Sequence, residues 1–221
     1  MPMTVPDSFA YTARAAHDVG LAAWLGGAMF GKFAHNPSLV RITAHEERGA
    51  VANAAWNGYN VINTAGLAAA AFGWGSSRLT ETAAANLTST EQALSQAKDV
   101  LMGVSVATGL LSSIQGARLA KQAPDGAVPV ETGTVPAPET PRTAARIQRS
   151  LGVLGNLNIA AGVSLVAVNA VLAQTSHSHP AKRRALTRSS TPGDSSTSPL
   201  WLAPAVTTVL AAVDEARRRA S

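Results

Sequence analysis

The stretch "NAAWNGYNVIN", residues 53 to 63, places four asparagines in the middle of a long uncharged run. No Asp, Glu, Lys or Arg occurs in the 29 residues from Gly49 to Ser77. On a helix, which turns by about 100° per residue, the asparagines share an arc of about 120°, and the opposite face is small and apolar. A run of this length can cross the hydrocarbon layer of a bilayer, which is about 30 Å thick. An amide turned toward lipid would lose its hydrogen bonds to water, so we expect the four asparagines to face other helices.

The composition agrees with several such segments separated by polar ones. Of the 221 residues, 46% are hydrophobic and only 14% are charged, and the mean hydropathy is +0.10 because long polar stretches dilute the apolar ones. We predict four helices, at about 9–33, 47–74, 95–120 and 148–174, with no strand pattern between them. The sequence therefore predicts an all-α fold. It would be a four-helix transmembrane bundle over residues 1–176, with both ends of the bundle sequence on one side of the membrane.

Each predicted helix carries a stripe of small or amide side chains on one face. Such residues let helix backbones approach closely in a membrane, and amides or hydroxyls can form hydrogen bonds across the contact. Tight packing of these stripes against one another is the expected arrangement; the alternative is a polar cavity or pathway lined by the asparagines. The residues concerned are Gly27, Gly31, Asn53, Asn57, Asn60, Asn63, Gly109, Ser113, Asn158, Gly162 and Asn169.

Two segments outside the predicted helices lack apolar periodicity. Residues 121–142 contain five prolines, so we predict an extended, mobile loop that contributes nothing to a core. Residues 177–221 form a basic, Ser-rich tail that we predict to be disordered, with a short helix over 200–216 as an option. That stretch contains Pro204 and is short, so a fifth span is not expected.

The net charge of +5 and the pI near 10.2 do not indicate a nucleic-acid partner. Lys and Arg cluster beside the predicted spans, where they would hold a helix across a bilayer or touch anionic lipid, and no aromatic residues interleave with them. Eight Lys and Arg residues fall on one predicted side and seven on the other, so the positive-inside rule does not choose an orientation. The expected partners are the lipid bilayer and either a second copy of the chain or another membrane protein.

Few residues offer chemistry. The chain has no cysteine and shows no Ser-His-Asp set, phosphate-binding loop, metal motif or pair of membrane carboxylates. We therefore expect no catalytic site, metal site or bound cofactor. Among the five histidines, His17 is the best placed, on the same arc as Trp24. We expect a hydrogen-bonded structural residue; the alternative is an axial ligand, with Trp24, Trp56 and Tyr59 around a haem or quinone.

The segment "HDVGLAAWLGGAMFGKF", His17 to Phe33, resembles the first helix of small bacterial multi-helix membrane proteins, in which a histidine and a W-x-G-G turn precede an aromatic residue. Copper-resistance membrane domains and several four-helix families of actinobacterial type look similar there. The resemblance implies a multi-pass bundle in the bacterial cell (inner) membrane, without an assigned activity. The further membrane histidines or methionine clusters that a copper pathway needs are missing from this chain.

Two function hypotheses follow from the sequence. The first is a non-enzymatic integral membrane protein that serves as a structural or partner-binding subunit, held together through its glycine and asparagine faces. The second is a small redox or cofactor-binding membrane protein that uses His17.

Overall fold

The computed structural model describes residues 7–79, 87–123 and 127–178. These residues contain four long helices, so the predicted all-α architecture is confirmed. The helices are α1 (Asp7–Phe30), α2 (His45–Leu79), α3 (Ser89–Ala120) and α4 (Arg142–Ser178). Each begins earlier than predicted, by two to six residues. The predicted tail starts inside α4, and its remainder, residues 179–221 with the optional helix over 200–216, lies outside the described residues.

The chain stays helical beyond α1 by changing the type of helix. A π-helical turn (Gly31–His35) leads into one α-helical turn (Asn36–Ser38) and a 3-10 turn (Leu39–Arg41). Pro37 does not end the helical conformation, because it lies in the first turn of the short α-helical segment, where no backbone N–H is needed. The connection between α1 and α2 is therefore short and well defined.

A capping box explains why α3 begins before the predicted residue 95. The Thr88 hydroxyl accepts a hydrogen bond from the Glu91 backbone N–H at 3.3 Å, and the Glu91 carboxylate accepts one from the Thr88 backbone N–H at 3.0 Å. Two of the free N–H groups at the helix start are satisfied in this way.

The helices pack as two antiparallel pairs, α1 with α2 and α3 with α4. Close approach in the first pair depends on glycine, since a Cβ at Gly20 would overlap the Gly66 carbonyl oxygen. The pairs meet mainly along α1 and α4, where the Asn169 amide donates to Asp18 at 3.2 Å. That contact brings the start of α1 beside the end of α4. By contrast, α2 and α3 touch at few places although they follow each other in the chain.

The core lies where the two pairs meet, toward the end of the bundle that holds the start of α1. It is built from large apolar side chains of all four helices: Leu21, Trp24, Leu25, Trp74, Leu94, Met102, Ile159, Leu165, Val168 and Leu172. Trp24 and Leu165 are fully buried. The opposite half of the bundle has fewer such residues and is more open.

The Pro-rich segment is ordered where the structure describes it, and the prediction that it contributes nothing to a core is wrong. Strands β1 (Val130–Thr132) and β2 (Val135–Pro136) pair as an antiparallel hairpin, and Val128, Val130 and Ala137 are buried. Buried side chains satisfy its backbone: Arg48 of α2 donates to Glu131 O at 3.0 Å, and Thr140, within the segment itself, donates to Pro129 O at 2.8 Å. Apolar periodicity could not reveal this, because polar side chains anchor the segment.

Two of the four helices, α3 and α4, are long and apolar enough to cross a membrane. By length and composition alone this is weak evidence, since core helices of soluble proteins meet the same criterion. Here, however, only 17% of the most apolar part of α3 and 33% of that of α4 is buried. Over their described residues, α1 and α2 do not meet this criterion.

Candidate ligand-binding cavity

A cavity of about 390 Å³ lies between the two helix pairs, in the half of the bundle nearest the β-hairpin. All four helices and the hairpin contribute to its wall. The polar residues of the lining are Lys32, Asn36, Asn53, Asn57, Asn60, Asn63, Ser112, Ser113, Thr134, Gln148 and Asn158, and its aromatic residues are Trp24, Trp56 and Tyr59. The cavity therefore combines many neutral hydrogen-bonding groups with a few ring systems.

The four asparagines of the opening stretch lie along one wall of this cavity. Asn57 and Asn60 are exposed, whereas Asn53 and Asn63 are half-buried. Asn57 donates to the Asn53 amide oxygen at 3.3 Å, and the side chains of Asn60 and Asn63 make no hydrogen bond to another described residue. The amides of this helix therefore form part of the cavity lining.

Gly27 of α1 and Gly31 of the π-helical turn make room for aromatic rings and not for another helix backbone. A Cβ on Gly27 would overlap the Tyr59 ring, and one on Gly31 would overlap the Trp56 ring. The Tyr59 hydroxyl donates to Ala23 O at 2.5 Å, and the Trp56 indole N–H donates to the Asn36 amide oxygen at 3.4 Å. The two rings also pack edge to face with centroids 6.3 Å apart. They form a rigid part of the cavity wall.

Two fully buried side chains in the lining carry polar atoms without a partner. Trp24 is 0% exposed and its indole N–H has no acceptor among the described residues, while Gln148 is 1% exposed and its amide oxygen has no donor among them. The Gln148 amide nitrogen donates to Pro129 O at 3.3 Å, which fixes the side chain. Neither atom reaches the cavity surface, since each has an accessible area below 1 Å².

The other residues predicted for helix packing fall into three settings. Asn158 is buried and donates to Thr108 at 2.8 Å, so it bridges α4 and α3 beside the cavity. Gly109 and Ser113 line the cavity from α3, and the Ser113 hydroxyl bonds to Gly109 O at 3.1 Å. Gly162 packs against the Trp24 and Leu25 side chains, away from the lining.

Asn169 belongs to a second polar cluster, at the closed end of the bundle. Lys98, only 2% exposed, donates to the Asn169 amide oxygen at 2.5 Å and its ammonium lies 4.1 Å from the centre of the Trp74 ring. The Trp74 indole donates to Asp99 at 2.8 Å, and Asp99 pairs with Arg78 at 3.0 Å. The sequence analysis missed Lys98 as an interior residue. The sequence did contain a signal for a buried Lys98, because this residue lies directly beside the long uncharged run of α3.

His17 is buried near this second cluster and does not line the cavity. Its Nδ1 atom bonds to Ala70 O at 2.6 Å, and its Nε2 atom is buried without a partner in the described part of the chain. The ring centre lies 6.5 Å from that of Trp74. The residues considered as a haem or quinone site therefore do not lie together. Trp24, Trp56 and Tyr59 line the cavity, and His17 does not.

The cavity is suited to binding and not to acid–base chemistry. Among its described lining residues, none is a carboxylate or a histidine, and Lys32 is the single charged one. Within the described part of the chain there is also no group of three or more His, Cys, Asp or Glu residues that could hold a metal ion. No family model, curated protein or solved structure matches this chain, so the cavity is interpreted from its own geometry.

Proposed function

We propose that the protein is a multi-pass integral membrane protein of the bacterial cell membrane and that it acts as a non-enzymatic binding subunit. One observation carries the membrane part of this proposal: the most apolar parts of α3 and α4 are largely exposed. A soluble helical protein would turn such faces into its core, because exposing them to water costs about 25 cal/mol per Å² of apolar surface.

The distribution of exposed side chains supports the same proposal. Large apolar residues point outward from all four helices, among them Val19, Phe30, Val61, Ile62, Phe72, Val100, Leu110, Leu111, Val153 and Val166. Long parts of α2 and α3 are uncharged, since the 29 residues from Gly49 to Ser77 and the 18 from Val100 to Ala117 carry no charge, whereas α1 carries Asp18 near its middle. An apolar belt between two polar ends is the surface pattern expected of a protein that spans a bilayer.

The binding part of the proposal rests on the cavity. It is of the size typical of small-molecule sites, which start at about 300 Å³, and it is rich in hydrogen-bonding groups. Its described lining offers no general acid, general base or nucleophile set for a reaction. Recognition without chemical conversion is therefore the function that the geometry supports best.

The test combines membrane extraction with cysteine labelling, which is clean because the native chain has no cysteine. The expressed protein should stay in the membrane pellet after a carbonate wash. Cysteines introduced at Ser8 and Ser178 should react with an impermeant thiol reagent from the same side of intact cells, since the ends of α1 and α4 lie together. Release by carbonate would contradict membrane insertion, and labelling from opposite sides would contradict four spans.

A cofactor-binding role has one observation in its favour. A histidine that bonds through Nδ1 to a backbone carbonyl and leaves Nε2 free, as His17 does, has the orientation of an axial ligand. Its separation from the cavity makes this the second candidate. An optical spectrum of the purified protein decides it: a Soret band that is lost in His17→Ala would support the haem version, and a featureless spectrum would remove it.

A further inference from the structure

We propose that the cavity between the helix pairs binds an uncharged, polyhydroxylated molecule, a neutral sugar of one or two rings. This inference rests on the proposed binding function and names the chemical class of its ligand. It is carried by the charge of the wall, by its donors and acceptors, and by the position of its aromatic rings.

The charge of the wall selects a neutral ligand. Lys32 is the single charged side chain of the described lining, it is only half-buried, and it already has an interaction partner. An anionic or cationic ligand would lose its hydration on entering without gaining a free opposite charge, which is strongly unfavourable. The remaining polar residues of the wall are amides and hydroxyls, which bind without a charge.

The donors and acceptors of the wall match hydroxyl groups. A carboxamide offers two donor hydrogens and an acceptor oxygen, and a hydroxyl group of the ligand likewise donates and accepts. Asn60 and Asn63 line the cavity and have no hydrogen bond to another described residue, so their donors and acceptors are available to a ligand. A purely apolar ligand would displace water from these amides without replacing its hydrogen bonds, which is unfavourable.

The amides form an extended row, which suits a ligand that carries several hydroxyl groups along its length. Asn53, Asn57, Asn60 and Asn63 follow one another along α2, so the row spans about 15 Å at a rise of about 1.5 Å per residue. A ligand with hydroxyl groups spaced along its length can bond to several of them at once. A flat aromatic ligand fits less well, because Trp24 is fully buried and Trp56 and Tyr59 already pack against each other.

The sugar can come from two sources, a free molecule in the aqueous phase or the headgroup of a glycolipid. Both present the same hydroxyl groups to the amide row. The two sources differ only in the attached acyl or alkyl chain, which would lie against the exposed apolar faces of the bundle.

The test measures thermal unfolding of the full chain purified in a zwitterionic detergent, whose headgroup carries no sugar. Glucose and maltose serve as free probes, and octyl glucoside below its micellar concentration serves as the lipid-linked probe. We expect at least one neutral sugar to raise Tm by about 2 to 6 °C at saturation. Stabilisation by the free sugars indicates a soluble ligand, and stabilisation by the alkyl glucoside alone indicates a glycolipid headgroup. Glucuronate and glucosamine, the charged analogues, should give no shift.

The variant Asn57→Leu/Asn60→Leu should lose the sugar-dependent shift, because it removes two amides of the row. Both positions are exposed, so its Tm without sugar should remain close to that of the wild type. Ile62→Leu, on the opposite and equally exposed face of α2, is the matched control and should keep the shift.

The inference is overturned if no neutral sugar changes Tm of the wild type, if the charged analogues stabilise equally, or if the double variant responds like the wild type. These failures are distinct from failure of the proposed function. A protein that resists carbonate extraction and ignores every sugar contradicts only the ligand class. A protein that binds sugar and is released by carbonate contradicts only the membrane location.

Discussion

At the scale of single residues, glycine sets how closely α1 and α2 approach. Gly73 faces α1, and a Cβ at this position would overlap the Ala13 carbonyl oxygen and lie 2.7 Å from His17 Cβ. Neither obstacle is the flexible end of a side chain, so the helices themselves must move apart. Nearby Gly75 is exposed and has open space where its Cβ would be.

We therefore expect Gly73→Ala to destabilise the protein by about 1 to 3 kcal/mol through overpacking. Gly75→Ala should be neutral or stabilising by up to about 1 kcal/mol, because alanine is the better helix former. Thermal unfolding in detergent compares the two. Equal effects of the two substitutions would mean that α1 and α2 are not in close contact in the native protein.

The buried lysine gives a second prediction at this scale. Lys98→Met preserves most of the side-chain length but leaves the Asn169 amide oxygen without its donor and removes the cation from the Trp74 ring. We expect a loss of about 1.5 to 3 kcal/mol, the range for hydrogen bonds to charged groups. A double-mutant cycle with Asn169→Leu should show coupling, so that the double variant loses less than the sum of the single losses. Additive losses would mean that the two side chains do not interact.

At the scale of elements, the start of α3 depends on one threonine. Thr88→Ala removes the acceptor for the Glu91 backbone N–H and the partner of the capping box. We expect a loss of about 1 kcal/mol, the typical value for an N-cap residue, while Thr88→Ser should retain most of the stability. Chemical or thermal unfolding measures both variants. A serine variant as unstable as the alanine variant would exclude the hydroxyl as the cause.

The hairpin is attached to α2 by a pH-sensitive contact. His45 contacts Glu139 at 2.6 Å and Glu131 at 3.0 Å, and Arg48 lies beside Glu131 at 3.3 Å. Hydrogen bonds from its own backbone and from His45 lower the pKa of Glu139 below its ordinary value of 4.5. The contact therefore adds stability above pH 4.5, and that stability is lost as the pH falls through the lower pKa of the folded state.

We accordingly expect the wild type to be more stable than Glu139→Gln at pH 7 and the difference to shrink as the pH falls below about 4.5. Glu139 is exposed, so the effect will be small and will decrease in high salt. Thermal unfolding of both proteins between pH 7 and pH 3 measures it. A difference that stays constant over this range would show that the carboxylate charge is not involved.

At the scale of the whole molecule, a charge placed in the exposed apolar belt should affect a membrane protein and a soluble protein differently. Leu110 is 61% exposed near the middle of the uncharged part of α3. In a bilayer, Leu110→Arg should disfavour insertion by about 2.5 to 3.5 kcal/mol, whereas in water the same change would be harmless or improve solubility. The fraction of protein in the carbonate-resistant membrane pellet measures the effect. Leu110→Val is the matched control and should behave like the wild type.

The number and order of the helices could be predicted because long uncharged runs with helical periodicity identify them without any tertiary information. The hairpin could not, since it is held by Arg48 and Thr140, and such polar anchors leave no apolar pattern. The asparagine row was predicted as one face of α2, but a sequence contains no distance between helices. Whether that face meets another helix or an open space depends on how the two pairs are arranged. For the same reason the partners of Lys98 could not be predicted, because they come from α2 and α4.

The scarcity of contacts between α2 and α3 has a mechanical consequence. Each of these helices is held by its own partner, α1 or α4, so the distance between them can change while both packed pairs stay intact. The two pairs are then joined along the α1–α4 contact, and the asparagines of α2 line the space between them. A larger distance between α2 and α3 would open the cavity from the side, and a smaller one would close it. A bifunctional thiol cross-linker between cysteines at Asn60 and Ser113, which both line the cavity, would fix the distance between α2 and α3 and should slow exchange of a bound molecule.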